Sequence, residues 1–197
     1  MFLIFGAGGL AHELYWYLKD CGIKLDGVAV NKEFFKAGAK FMGLPMYCLE
    51  ELDVLEHTYY RAFGETHCKS FDVLNLGGAI HPTAYVAGEI TMGQGCIVCP
   101  HAIVIGKVRL GRNVFVNTNA GVYNNVDVGD NTYIAPNVVL AESVKVGKNC
   151  FLGVGAKVRP FQKIGDNAYI GIGSIVVKDV PDGEIWVGNP AKKLVKK

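Results

Sequence analysis

The run Gly6-Ala7-Gly8-Gly9-Leu10-Ala11 has the glycine spacing of a strand-to-helix turn that cradles a phosphate. Glycine lets the backbone approach the ligand closely, and the amides that open the following helix meet its negative charge. The flanking residues suit that role. An apolar strand, Phe2–Phe5, leads into the turn, and Leu10, Leu14, Tyr17, Leu18 and Cys21 follow at helical spacing before a stop at Gly22. A second strand over residues 27–30 ends at Asn31, where a dinucleotide site usually presents an acid to the ribose. Asn31 can hydrogen-bond but makes no charged contact, which argues against NAD.

Metal and thiol chemistry find little support. The six cysteines include one close pair, Cys96 and Cys99, and show no four-ligand zinc spacing. Both are expected to be reduced, in or near the packed interior. His81 and His101 are the only histidines after residue 78, twenty positions apart, and are expected to mark an entry and a corner of the fold rather than to catalyse. No metal is expected.

The elements that would carry these residues fall into two parts. In residues 1–78 the glycine turn is followed by a short helix around Leu52–Leu55, a third strand from Tyr60 to Phe63 ending at Gly64, and a third helix from Lys69 to Leu76. Three β-α units make half of a dinucleotide fold, which suits a mononucleotide-type ligand. Residues 79–197 obey a different rule: every sixth residue from Ile80 to Val176 is aliphatic or Met, seventeen times in succession. Gly93, Gly111, Gly129, Gly147 and Gly165 add a period of eighteen, so three hexads form one repeat. That is the arithmetic of a three-sided parallel β-helix, its aliphatics pointing inward and its periodic glycines placed for positive φ or close backbone approach. The residue two before each aliphatic, for instance Ala102, Val108 or Ala120, is usually small or β-branched and suits a narrow interior.

Composition narrows the function classes. Half of the 197 residues are hydrophobic, ample for packed structure, and the net charge of +2 offers no field for nucleic acid. No stretch reaches membrane-span length and Met1 leads directly into a strand, so the cytoplasm is the expected location.

The closing segment is more specific: Ile164-Gly165-Asp166-Asn167-Ala168, Ile170-Gly171-Ile172-Gly173-Ser174, Lys178-Asp179-Val180-Pro181-Asp182 and Gly188-Asn189-Pro190-Ala191-Lys192. With a glycine-turn domain ahead of the hexads, the whole chain resembles the hexapeptide-repeat sugar acetyltransferases that include bacterial nucleotide-4-amino-sugar N-acetyltransferases and sialic-acid O-acetyltransferases. The resemblance implies an α/β half-Rossmann domain followed by a left-handed β-helix, a homotrimer, and acetyl-CoA as acyl donor in a groove between coils. It implies that Gly6, Gly8, Gly9, Asn31 and Gly64 face a nucleotide-linked sugar. It further implies that Gly153, Gly155, Gly171 and Gly173 border the pantetheine arm, that Tyr133 stands where relatives often have a His near the cofactor, and that Lys192, with Lys193, Lys196 and Lys197, meets coenzyme phosphates or forms a solvated tail.

One family feature is missing. Relatives carry a segment of the form Asn-Thr-x-Ala-x-Val-x-His-Asp, whose His takes the proton from the attacking group. Here it reads Asn117-Thr118-Asn119-Ala120-Gly121-Val122-Tyr123-Asn124-Asn125, which puts Asn124 in the place of the His and Asn125 in that of its acid. Asn is no general base near neutral pH. The eighteen-residue repeat predicts that Glu142 stacks one coil above Asn124, where desolvation would raise its pKa into a base's range. Asp127 and Asp130 are weaker candidates.

A sugar amine is partly neutral at physiological pH and attacks unaided more readily than a hydroxyl, so loss of the His favours N-acetylation over O-acetylation. The reading is therefore an N-acetyltransferase, with an O-acetyltransferase or a trimeric binder that has lost its chemistry as alternatives.

Overall fold

The computed structural model describes residues 1–62 and 74–195. Its first part is a five-stranded sheet with one helix. Strand β1 (Phe2–Phe5) runs into helix α1 (Gly9–Asp20), followed by β2 (Gly27–Val30), the hairpin β3 (Lys40–Phe41) and β4 (Leu44–Cys48), and β5 (Thr58–Arg61). The order across the sheet is β3-β4-β2-β1-β5, with β4, β2, β1 and β5 parallel. Helix α1 buries Ala11, Leu14 and Leu18, and Gly22, at φ 74°, ends it by donating to Lys19 O.

Three details of this part differ from expectation. Strand β4 occupies residues that carry no clean alternation, and it pairs with β2 because the β3–β4 turn at Met42-Gly43, with φ of 50° and 81°, folds it back. The helix expected around Leu52–Leu55 is a single 3-10 turn at Leu49–Glu51. The third strand ends at Arg61; Phe63 and Gly64 lie outside the described residues, as does most of the helix expected from Lys69. That helix does not extend to Leu76, which pairs with Tyr59 as a bridge.

From Ala79 onward the chain winds into a parallel β-helix. Strands β6 (Ala79–Ile80), β7 (Tyr85–Met92), β8 (Ile97–Val98), β9 (Ile103–Leu110), β10 (Phe115–Val116), β11 (Gly121–Val122), β12 (Val126–Val128) and β13 (Tyr133–Ile134) pair with partners eighteen residues away, and short strands continue so to Ile175–Val176. The hexad aliphatics from Val98 to Val176 are all buried, together with the residues two before them, because alternate strand positions share one face. Ile80, at the open end, is half-exposed.

The corners correct the expectation for glycine. Positive φ falls on Asn113, Asn119, Asn125, Asn131, Asn137, Asn149 and Asn167, with His101, Ser143, Phe161, Gly155 and Gly173 at equivalent places. Asn tolerates this conformation better than other residues with a Cβ. The eighteen-period glycines serve close approach alone: a Cβ at Gly93 would lie 2.7 Å from Arg112 N, and one at Gly129 2.6 Å from Lys148 N.

Each turn of the coil thus has a first corner (117–119), a second (123–125) and a third (129–131). The α/β part lies against the first corner and the β10/β13 face. Tyr17 reaches Thr118 at the first corner, and the Arg61 guanidinium lies 5.7 Å from the Phe115 ring and 5.8 Å from that of Tyr133.

Candidate active site

The glycine turn forms as expected. Gly6, at φ 112°, ends β1 and donates to Ala29 O, and a Cβ built at Gly8 or Gly9 meets nothing within 4 Å. Open space over the first amides of α1 is what a phosphate requires. Asn31 ends β2 and starts a 3-10 turn over Lys32–Phe34. Glu50 accepts from Lys32 N at 2.9 and 3.1 Å, which holds that carboxyl below its usual range. Gly64 lies outside the described residues.

Asn124 sits at the second corner, exposed, directly above Gly106. Its Oδ1 accepts from Lys107 N at 3.1 Å. Glu142 is exposed on the same edge one coil on, as the eighteen-residue register requires, and no side-chain partner for it occurs among the described residues. Asn125 is a corner residue at φ 59° whose Nδ2 donates to Ser143 Oγ at 3.0 Å, so its amide does not orient Asn124. The weaker carboxylates are engaged elsewhere. Asp130 accepts from Arg112 N at 2.7 Å. Asp127 takes a bidentate contact from Arg109 at 2.7 and 2.8 Å and the Lys145 ammonium at 2.5 Å. The Arg109 hydrogen bonds, with help from Lys145, hold the Asp127 carboxyl down at about 2. It is an ion-pair anchor and no proton acceptor near neutrality.

Tyr133 is only 7% exposed. Its ring stacks between Phe115 and Phe151 at 5.2 and 5.4 Å, and its hydroxyl accepts from Asn117 Nδ2 at 2.8 Å. Burial pushes the phenol up to about 12. The four glycines expected to border the pantetheine arm divide into two kinds. A Cβ at Gly153 or Gly171 would meet neighbouring atoms at 2.8 and 2.7 Å, so close packing accounts for both. Gly155 and Gly173, at φ 70° and 65°, face open space beside exposed Val154 and Ile172. Lys192 is exposed in a short strand that pairs with Ile185–Val187.

Cys96 and Cys150 are buried free thiols inside the coil, Cys99 is a buried free thiol on the side facing α1, and burial pushes each thiol up, away from thiolate reactivity. Among the described residues no group of three or more His, Cys, Asp or Glu could hold a metal, and no helix is long and apolar enough to cross a membrane.

Sequence reasoning missed the supports of this site: the Lys107 amide and Gly106 beneath Asn124, Lys145 beside Asn125, and the Tyr17–Thr118 and Arg61 contacts. The Gly88–Gly106 repeat, eighteen residues apart and ending below Asn124, was a signal that could have found the first.

Residues 107–142 and 128–160 match the hexapeptide family described as bacterial transferase hexapeptide (six repeats). Those repeats make the coil a left-handed β-helix, the architecture on which hexapeptide-repeat acyltransferases are built. Over nearly its whole length the chain shares the architecture of solved sugar acetyltransferases. A histidine-to-asparagine mutant of perosamine N-acetyltransferase from Caulobacter crescentus, solved with CoA and GDP-perosamine, is 28% identical, with a TM-score of 0.88 over 99% of this chain and 97% of that one. The acetyltransferase domain of PglB from Neisseria gonorrhoeae, solved with acetyl coenzyme A, is 25% identical, with a TM-score of 0.85 over 98% of both chains. WeeI from Acinetobacter baumannii shares the fold at 20% identity, with a TM-score of 0.88 over 98% of this chain and 99% of that one. A search of curated proteins finds no match.

Proposed function

We propose that the chain is an acetyl-CoA-dependent N-acetyltransferase acting on the amine of a nucleotide-linked amino sugar, for the synthesis of a glycan or surface polysaccharide. The likeness over 99% of the chain to an N-acetyltransferase solved with CoA and GDP-perosamine carries this reading. Residues 1–78 form the nucleotide-sugar domain, with Gly6, Gly8, Gly9 and Asn31 toward the nucleotide. Residues 79–197 form the acyltransferase domain, in which Gly155 and Gly173 leave room for the pantetheine arm, Gly153 and Gly171 shape its wall, and Lys192 meets the coenzyme phosphates. Tyr133 supports the wall from behind. Free buried thiols suit the reducing cytoplasm.

A second copy is part of the proposal. The glycine turn belongs to the layer that covers the first corner and the β10/β13 face, whereas Asn124 and Glu142 occupy the second corner, opposite that face of the prism. Sugar and second corner therefore meet between two coils. The face between the first and second corners favours such packing: Tyr85, Ile103, Ile105, Tyr123, Val139 and Ala141 point outward from it, and all are at least partly exposed. This stretch of apolar outward residues, bounded one coil on by exposed Lys157 and Arg159, supports a homotrimer built around it.

In this site the sugar amine attacks the thioester, and Glu142 accepts the proton once the trimer groove desolvates its carboxylate. Asn124 in place of the family's His favours one other reading, a nucleotide-sugar and CoA binder without turnover. The deciding experiment follows free-thiol release from acetyl-CoA with UDP-, GDP- and dTDP-linked amino sugars, each paired with its hydroxyl analogue. Turnover with an amine supports the N-acetyltransferase, turnover with a hydroxyl alone replaces it by an O-acetyltransferase, and silence with both ligands bound replaces it by the binder.

A further inference from the structure

The Asn124 amide is held in one orientation from below. Lys107 N lies 3.1 Å from it, and a backbone N–H only donates, so the facing atom must be Oδ1 and Nδ2 must face away. Gly106 permits the approach: its φ is 94°, and a Cβ there would lie 2.6 Å from Oδ1 and 2.9 Å from Asn124 Cα. The main chain of the same corner is held from the other side. Ser143 N donates to Asn124 O at 2.9 Å, and Lys145 Nζ, anchored on Asp127, donates to Asn125 O at 3.2 Å. Nδ2 itself stands at an exposed edge with no acceptor among the described residues.

We infer that Asn124 is a catalytic residue acting as a preoriented neutral donor to the oxygen of the tetrahedral intermediate, with Gly106 and the Lys107 amide as its positioning residues. The inference rests on the acetyltransferase reading. The amine lone pair attacks the thioester carbonyl carbon, the C–N bond forms, and the π pair moves onto the oxygen, where Nδ2–H meets the charge. The pair then re-forms the carbonyl, the C–S bond breaks, and CoA leaves as a thiolate, which gains the proton that the amine sheds through Glu142 or water. A donor aimed at the amine would occupy the lone pair needed for attack, so the oxygen is the productive partner. A fixed donor whose partner gains charge only in the transition state raises kcat and leaves ground-state binding alone.

The test compares kcat, KM and calorimetric CoA affinity for the wild type, Asn124→Asp, Asn124→Ala and Gly106→Ala, using acetyl-CoA and the amino-sugar nucleotide the wild type acetylates. Asn124→Asp keeps the shape and the Lys107 contact but puts an oxygen where Nδ2 stood. Loss of one such donor is expected to lower kcat about 100-fold or more in both Asn124 variants. KM and CoA affinity are expected to stay within about threefold, and Gly106→Ala to follow with Asn124 intact. An unchanged kcat in the two Asn124 variants, or a loss confined to KM, overturns the inference. A wild type that binds CoA yet acetylates no amino-sugar nucleotide overturns the acetyltransferase reading, and this inference with it.

Discussion

The Tyr17 hydroxyl meets Thr118 Oγ1 at 3.2 Å, joining the helix that opens on the glycine turn to a corner of the coil 101 residues further along the chain. Neighbouring contacts repeat the connection. Thr83 N donates to His81 Nδ1, which leaves the ring proton on Nε2, and Asp20 Oδ2 accepts there at 3.2 Å. Arg61, 1% exposed, lies over Phe115 and Tyr133. The α/β layer is therefore fixed on one side of the prism. Tyr17→Phe removes one of these bonds, worth about 1 kcal/mol. A thermal melt should show Tm lower by about 2–4 °C.

Glu142→Gln keeps the size of the side chain and removes its capacity to take a proton. If Glu142 is the base, kcat falls by about 10² to 10⁴ while CoA binding is retained. Unchanged steady-state turnover would remove Glu142 from the mechanism and leave the amine to attack unaided.

Asp127 gives the fold a defined acid response. Its folded pKa of about 2 lies below the unfolded value of about 3.9, so its stabilisation is complete above the unfolded value and is lost as pH falls between the two. With Arg109 exposed, the pairing is expected to contribute about 1 kcal/mol. Asp127→Asn should lower Tm at pH 7 but leave it nearly unchanged at pH 2, as calorimetry across that range would reveal.

Two glycines of the coil should respond oppositely to a side chain. Gly129→Ala forces a Cβ to 2.6 Å from the next coil and should cost about 1–3 kcal/mol in denaturant unfolding. Gly155→Asn places a residue tolerant of φ 70° into open space, so stability should hold. Weaker CoA binding in that second variant would support Gly155 as part of the pantetheine wall, and unchanged affinity would exclude it.

Ile105→Glu buries a charge if the outward apolar face is the subunit interface. Sedimentation should then show a trimer for the wild type and a smaller species for the variant. An equally trimeric variant would place the interface elsewhere.

The coil was legible in the sequence because its rule is strictly local. One inward aliphatic per hexad and a shared eighteen-residue register fix which residues stack, so Glu142 could be placed over Asn124 by counting alone. The α/β part was less legible. Strand β4 owes its place to the Met42-Gly43 turn and to its pairing with β2, and the residues that follow it form only one 3-10 turn, Leu49–Glu51. The periodic glycines meet the close-approach half of what their spacing suggests, whereas Asn carries most of the positive-φ corners, since it reaches that conformation while its amide links coils, as in Asn113 to Asn131 at 2.9 Å.

By itself the sequence determined the prism and its register, both of which follow from residue identity and fixed spacing. Only the tertiary structure decided which way the Asn124 amide points, that Asp127 is consumed by an ion pair, that Tyr133 is sealed beneath Arg61, and that the glycine turn lies across the prism from the second corner. Those properties depend on contacts between residues far apart in the chain or on the packing of one coil upon the next, and no periodicity encodes the direction in which a side chain is held.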